Sequence, residues 1–362
     1  MFYYLLYSLH DTFSALNVFR YITFRSALAA VTSFLISIIL GPIIIKKLTQ
    51  LKIGQHVRKE ESLALYDLHR HKQGTPTMGG VLILASILVS VFLWSDLYNS
   101  YVVITILTCI WLGIVGFFDD YLKLTQKKSK GLNATMKLFW QFLLGIFIGL
   151  YIYLDPNITT TLDFPFFKKI VIDLGIFYIL FVILIIVGSS NAVNLTDGLD
   201  GLAIGCVLMV SFALAILSYV SGHVQISRYL LIPYISGVGE LTVFCAAIFG
   251  ASLGFLWFNC FPATVFMGDV GSLSLGGTLG IIAVFIKKEL LLGILGGIFV
   301  IEALSVILQV ASFKLKKKRI FKMTPIHHHF QMMGWPESKI IIRFWIIGII
   351  LAILTIMTLK LR

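Results

Sequence analysis

About ten stretches of this chain stay apolar for roughly twenty residues each, the length a helix needs to cross a hydrocarbon core. They are Arg25 to Ile45, Met78 to Leu97, Tyr101 to Phe118, Met136 to Leu154, Ile170 to Val187, Leu202 to Val220, Gly237 to Phe258, Leu273 to Ile286, Leu290 to Phe313 and Ile340 to Leu359. Each stretch is continuously apolar rather than alternating, which excludes a transmembrane β-barrel. With 13% charged residues and a mean hydropathy of +0.95, the 362-residue chain is neither a soluble globular protein nor a disordered one. The expectation is an all-α, polytopic membrane protein. No linker rich in Pro, Gly or Ser divides it, so residues 1–362 read as one integral-membrane domain. No repeat of fixed period is visible, which argues against the inverted-repeat plan common among secondary transporters.

Basic residues set the orientation. Lys46, Lys47, Lys52, Arg58, Lys59, Arg70 and Lys72 follow the first span; Lys123, Lys127, Lys128, Lys130 and Lys137 follow the third; Lys314, Lys316, Lys317, Lys318, Arg319, Lys322 and Lys339 follow the ninth. Under strict alternation these loops share one side, which the positive-inside rule makes cytoplasmic, leaving both termini periplasmic. The net charge of +12 does not point to nucleic acid, because the cations sit in short loops beside apolar spans, where topology and anionic membrane lipid account for them. The first twenty residues lack a signal-peptide pattern, so the first span is expected to act as the insertion signal. Cys109, Cys206, Cys245 and Cys260 are scattered without paired spacing, which indicates neither disulfide nor zinc.

The same internal side collects the polar chemistry. The run Asn191-Ala192-Val193-Asn194-Leu195-Thr196-Asp197-Gly198-Leu199-Asp200-Gly201-Leu202 sets two carboxylates and two amides between apolar segments, where acids are costly unless hydrated, interior or functional. Its glycines permit close backbone approach by a ligand, although a helix N-terminus capped by Asp197 would explain one of the acids. Loop one ends in Lys72-Gln73-Gly74-Thr75-Pro76-Thr77-Met78-Gly79-Gly80, a Gly/Thr-rich helix start that can present backbone N–H groups to an anion; plain N-capping is the alternative. The third span closes with Asp119-Asp120. Adjacent helical residues point about 100° apart, so the pair should not serve one ligand in the same way. Asp269, between glycines in Met267-Gly268-Asp269-Val270-Gly271-Ser272, suits a hard cation, and Phe266 just before it could stack on a base. The last internal loop carries His327-His328-His329, suited to anion contact or proton handling near neutral pH. Glu240 and Glu302 lie inside spans, where they could pair with a group on a neighbouring helix, and receive no role. Acids that hold Mg²⁺, beside cations that hold phosphates, are the equipment of phosphoryl transfer.

Across nearly its whole length the chain resembles the polyprenyl-phosphate N-acetylhexosamine-1-phosphate transferases. The resemblance rests on Gly74 to Gly80, Phe118-Asp119-Asp120-Tyr121, Asn191 to Leu202, Met267 to Ser272 and Pro325-Ile326-His327-His328-His329-Phe330, in the family's order. The His triplet favours its muramoyl-pentapeptide branch. The chain departs from the family pattern at Glu60 to Leu68, which lacks Gly-Pro, and at Gln331, where Glu is usual. The resemblance implies ten helices, a homodimer, a cytoplasm-facing cleft, Mg²⁺, and transfer from UDP-MurNAc-pentapeptide to undecaprenyl phosphate with release of UMP. It also implies Asp269 as metal ligand and Asp119 and Asp120 as the essential acidic pair. Lys72, Asp197, Gly198, Leu199 and Phe266 would form the uridine pocket, with Asn191, Asn194, Asp200, Asn259, His328 and His329 around phosphates and sugar and Thr77 among the substrate-binding residues. A GlcNAc-1-phosphate transferase of the same superfamily, or a cation-coupled transporter that would move substrate and release no UMP, are the competing expectations.

Overall fold

The computed structural model of the chain describes residues 2–51, 72, 74–125, 131–164 and 171–360. Lys52, Arg58, Lys59, Arg70, Lys127, Lys128 and Lys130, and the unusual segment Glu60 to Leu68, lie outside these residues. Fourteen α-helices are numbered here in chain order: α1 Phe2–Ser8, α2 Ile22–Gln50, α3 Gly80–Trp94, α4 Ser100–Thr125, α5 Ala134–Leu154, α6 Phe177–Thr196, α7 Leu202–Ser221, α8 Val224–Leu230, α9 Leu241–Asn259, α10 Gly268–Phe285, α11 Glu289–Leu295, α12 Gly297–Lys316, α13 Ile326–Met332 and α14 Glu337–Met357. Among the described residues nine are long and apolar enough to cross a membrane, and α3, with 15 residues, is a shorter apolar helix. The chain is a multi-pass membrane protein.

Helix α10 is the axis. Gly271 through Phe285 are all buried on it, and α4, α6, α3 and α7 pack around it. Close approach is possible because small residues line the seams, the packing mode open to helices that gain nothing from excluding water in lipid. A Cβ on Gly80 would collide with the backbone of Gly271, and one on Gly116 would collide with the carbonyl of Asp269. Helices α2 and α9 form a second tight pair, with Gly250 against the Ala30 carbonyl.

Several boundaries differ from the sequence expectation: the first span runs on to Gln50 and the third to Thr125, and three others change more in character. The fifth span is shifted: it runs Phe177–Thr196, while Val171–Asp173 instead pairs antiparallel with Thr161–Asp163 in a hairpin, the sole sheet among the described residues. The eighth starts earlier, at Gly268, which brings Asp269 into the first turn of a helix. The ninth is divided at Gly296 into α11 and α12.

At the end of the bundle away from Asp269, charged groups are sealed in. Lys287, Lys288 and Glu289 are at most 5% exposed. The Tyr178 hydroxyl donates to the Glu289 carboxylate and accepts from Lys287 Nζ at 2.7 Å. Lys287 also donates to the Thr159 carbonyl, and Lys288 lies 3.8 Å from Asp163 on the hairpin. Near the same end, Arg25 makes a bidentate pair with Glu240 at 2.6 and 2.8 Å, the fork geometry that suits guanidinium to carboxylate.

Candidate active site

Three chain segments meet at the opposite end. The last turns of α4 deliver Asp119 and Asp120, the first turn of α10 delivers Asp269, and the end of α6 delivers Asn191 and Asn194. One oxygen from each of Asp119, Asp120 and Asp269 lies within 4.8 Å of the others, a group that could hold a metal ion. The two adjacent aspartates therefore do reach one locus, despite their angular separation. Asp269 starts α10 in the groove beside them, so neither has to reach around the helix.

The residues that shape this cluster are mostly ones the motifs did not single out. Lys123 Nζ lies 2.5 Å from Asp119, 3.4 Å from Asp120 and 3.1 Å from Asp269. Lys137 Nζ, from the first turn of α5, lies 2.9 Å from Asp119 and 2.6 Å from Asp269. Two ammonium groups thus face three carboxylates. Asp119 is 0% exposed and also accepts from the Leu132 backbone N–H at 2.7 Å. Asp269 keeps 15% of its side chain exposed. Asn194 donates to Asp269 Oδ1 at 2.9 Å and to Ser272 at 2.9 Å, fixing the carboxylate's plane. Gly268, at φ +73°, has no room for a side chain beside Asp120 and Thr77. Lys123 was readable as the i+4 partner of Asp119; Lys137, on the next helix, carried no local signal.

The next layer surrounds the loop between α6 and α7. Asp197 sits beside this cluster, and burial, with the negative charges of Asp269 and Asp120, pushes its carboxyl up to about 7. Asp200 is tied to Lys72 at 2.6 Å and to the Ala263 N–H at 2.9 Å. Glu337, at the start of α14, holds Lys72 at 2.5 Å and accepts from the Asp200 N–H at 3.0 Å. Asn259 accepts from the Gly201 N–H and donates to the Val265 carbonyl. Asp200 and Asn259 therefore bind the chain's own loops together. Phe266 is half-buried, and its backbone bonds to Pro76 and Gly79 pin the loop before α3 to the start of α10. Asn191 donates to Gln141, which in turn donates to Ser190.

The histidines separate by helical phase. His328 contacts Gln331 at 2.8 Å, and His329 accepts from the Lys322 N–H at 3.1 Å. His327 faces inward, 0% exposed, against Gly198. It is the histidine that touches the Asp197-Gly198-Leu199 turn, whereas the resemblance implied roles for its two neighbours.

A bundle whose central helix brings Asp269 against Asp119 and Asp120 at the end of α4 defines a membrane-embedded group transferase, and the Glycosyl transferase family 4 profile matches residues 101–287. A signature described as phospho-N-acetylmuramoyl-pentapeptide-transferase signature 1 matches residues 72–84. Proteins of that name are similar over the full length of both chains: 56% identical in Thermodesulfovibrio yellowstonii, 53% in Geobacter sp. strain M21 and 52% in Citrifermentans bemidjiense. The chain belongs to the phospho-N-acetylmuramoyl-pentapeptide-transferase family.

Proposed function

We propose that this chain, as a single domain in the bacterial inner membrane, transfers phospho-MurNAc-pentapeptide from UDP-MurNAc-pentapeptide to undecaprenyl phosphate, giving lipid I and UMP at the cytoplasmic face. The observation that carries this reading is the meeting of Asp119, Asp120 and Asp269 with Lys123 and Lys137 at one rim of the bundle, in a chain whose relatives bear that enzyme's name along their whole length. The basic residues at this rim support a cytoplasmic orientation.

Both reactants are polyanions, so repulsion and alignment dominate the barrier. The donor set fits Mg²⁺: three carboxylates supply hard oxygen ligands, and Asp269, the most exposed of them, would be its principal holder. When bound, Mg²⁺ offsets the charge of the pyrophosphate and of the departing UMP. The chain's own residues do the rest. Lys123 and Lys137 are placed to move from carboxylates to phosphate oxygens, as point charges suited to that exchange. Asn194 and Ser272 keep Asp269 from rotating away. Lys72, Thr77, Asp197, Gly198, Leu199 and Phe266 would receive the uridine, and Asn191, Asn194, His328 and His329 would face phosphates and sugar, with Asp200 and Asn259 framing the pocket.

Undecaprenyl phosphate is ionised near neutral pH, since a second phosphate pKa lies at about 6. One of its oxygens attacks the sugar-linked phosphorus; that P–O bond forms as the pyrophosphate bridge breaks, and UMP leaves with the electron pair. Direct attack is favoured over an aspartyl-phosphate because Asp119 is fully buried and already held by two ammonium groups and a backbone N–H. A homodimer belongs to the same reading, and cross-linking in native membranes tests it.

The decisive assay follows UMP release by the purified chain with and without undecaprenyl phosphate and Mg²⁺. UMP should appear only with both. Release without lipid, or a phosphorylated aspartate after incubation with the sugar nucleotide alone, would overturn direct transfer.

A further inference from the structure

We infer that Glu302 is a positioning residue: acting through His327, it holds the Asp197-Gly198-Leu199 turn in the shape that binds the nucleotide half of the donor. The inference rests on the uridine-pocket reading above and goes beyond it by giving a mid-span acid a task.

Glu302 lies on α12 within an apolar span and is 0% exposed. An acid so placed is retained only at a cost, which calls for a partner. That partner is His327, whose Nδ1 stands 3.1 Å from Glu302 Oε2, with both side chains fully enclosed. The two groups meet at contact distance without hydrogen-bond geometry, and neither carboxylate oxygen and neither ring nitrogen has a hydrogen-bond partner among the described residues. The opposite edge of the imidazole rests on Gly198: a Cβ at that position would fall inside contact distance of His327 Nε2 and Cε1. Gly198 belongs to a tight turn in which its own N–H bonds back to the Thr196 carbonyl and Leu202 N–H bonds to Leu199.

The result is a relay of shape across three elements, from α12 to α13 to the turn before α7. An imidazole without a partner can rotate about its ring bond, whereas a carboxylate on one nitrogen fixes both its orientation and which nitrogen faces away. Here the nitrogen facing away is the wedge beneath Gly198. Loss of the carboxylate frees the wedge, and the turn that carries Asp197 and Leu199 loses its support. The neighbour His328, edge-on to His327 with ring centroids 4.1 Å apart, would shift with it.

The test uses the full-length chain in detergent, with UMP as calorimetric probe and steady-state KM values for both substrates. Glu302→Ala should weaken UMP binding and raise the sugar-nucleotide KM by about tenfold, while kcat and the lipid KM move by about twofold or less. Glu302→Gln, which keeps an oxygen opposite Nδ1, should stay within about threefold of the parent chain. Gly198→Ala should weaken UMP binding, and adding it to His327→Ala should cost nothing more, because the ring it would strike is gone. Unchanged UMP binding in Glu302→Ala, equal losses in Glu302→Gln and Glu302→Ala, or additive penalties for Gly198→Ala and His327→Ala would each overturn the inference. Should Glu302→Ala fail to fold, the Gln variant and the Gly198/His327 cycle decide. A parent chain that binds UMP yet releases none from donor and lipid refutes the proposed reaction and leaves the relay standing. If the parent binds no UMP, thermal unfolding of the same cycle reads the coupling, and additivity there overturns it.

Discussion

The two ends of the helix bundle hold similar numbers of charged side chains and treat them in opposite ways. At the far end, Lys287 and Lys288 are balanced by Glu289 and Asp163, the first three are enclosed, and Tyr178 and the Thr159 carbonyl add hydrogen bonds. At the near end, three aspartates face two lysines, and Asp269, Lys123 and Lys137 stay partly open. Sealed charge of both signs, paired largely within the bundle, is architecture. An excess of acid, partly open at Asp269, is a group that could hold a metal ion. The two lysines there offset part of that negative charge.

The sharpest break in that comparison should come from Asp269→Asn. Transfer, followed as UMP release, should fall by about 10³-fold, the scale on which lost charge stabilisation acts, while the thermal midpoint hardly moves; full activity in this variant contradicts the metal assignment. Its mirror image is Glu289→Ala at the far end. That change strands Lys287 in a buried setting and should destabilise the chain by roughly 3–5 kcal/mol, measured by thermal unfolding, with the kcat of the surviving protein unchanged. Millimolar Mg²⁺ should raise the thermal midpoint of the parent chain but not of Asp269→Asn, by an amount equivalent to about 2.7 kcal/mol at a hundredfold excess over Kd. EDTA should reverse it.

The smallest effect is in the pH profile, where the ends should slope oppositely. Asp197 holds its proton up to about 7 in the folded chain but releases it near 3.9 when unfolded, so its stabilising contribution is complete below that lower value and fades as pH rises through 7. Burial lowers the Lys287 ammonium to about 8. Above that pH the folded chain has shed a proton that the unfolded chain keeps until about 10.4, so stability recovers between them. Asp197→Asn should flatten the first slope and Lys287→Met the second, both read as thermal midpoint against pH. A single monotonic profile would contradict the contrast between the ends.

Much of this was legible in the order of residues. Hydropathy alone locates the spans, because each helix must satisfy its own backbone in lipid, and the acidic motifs mark the site because acids are expensive there. The misplacement at Val171–Asp173 has a simple cause: apolar β-branched residues suit a hairpin as well as a span, and length cannot tell them apart. The division at Gly296 and the early start of α10 depend on packing rather than pattern. Lys137, Glu337 and Glu302 received no site role for another reason: each pairs with a residue far along the chain, at Asp269, Lys72 and His327, and no local spacing announces such a partner. His327 was passed over for His328 and His329 because three identical neighbours differ only in helical phase, which is fixed once α13 has docked.

Because Gly80 touches Gly271 and Gly116 touches the Asp269 carbonyl through bare backbone, the spacing of the three aspartates is written into the main chain and not into adjustable side chains. A single methyl at either glycine would act as a shim, moving one aspartate-bearing helix relative to its neighbours while every acidic side chain remained chemically intact. The tolerances of this catalyst are therefore set by residues that carry no functional group at all.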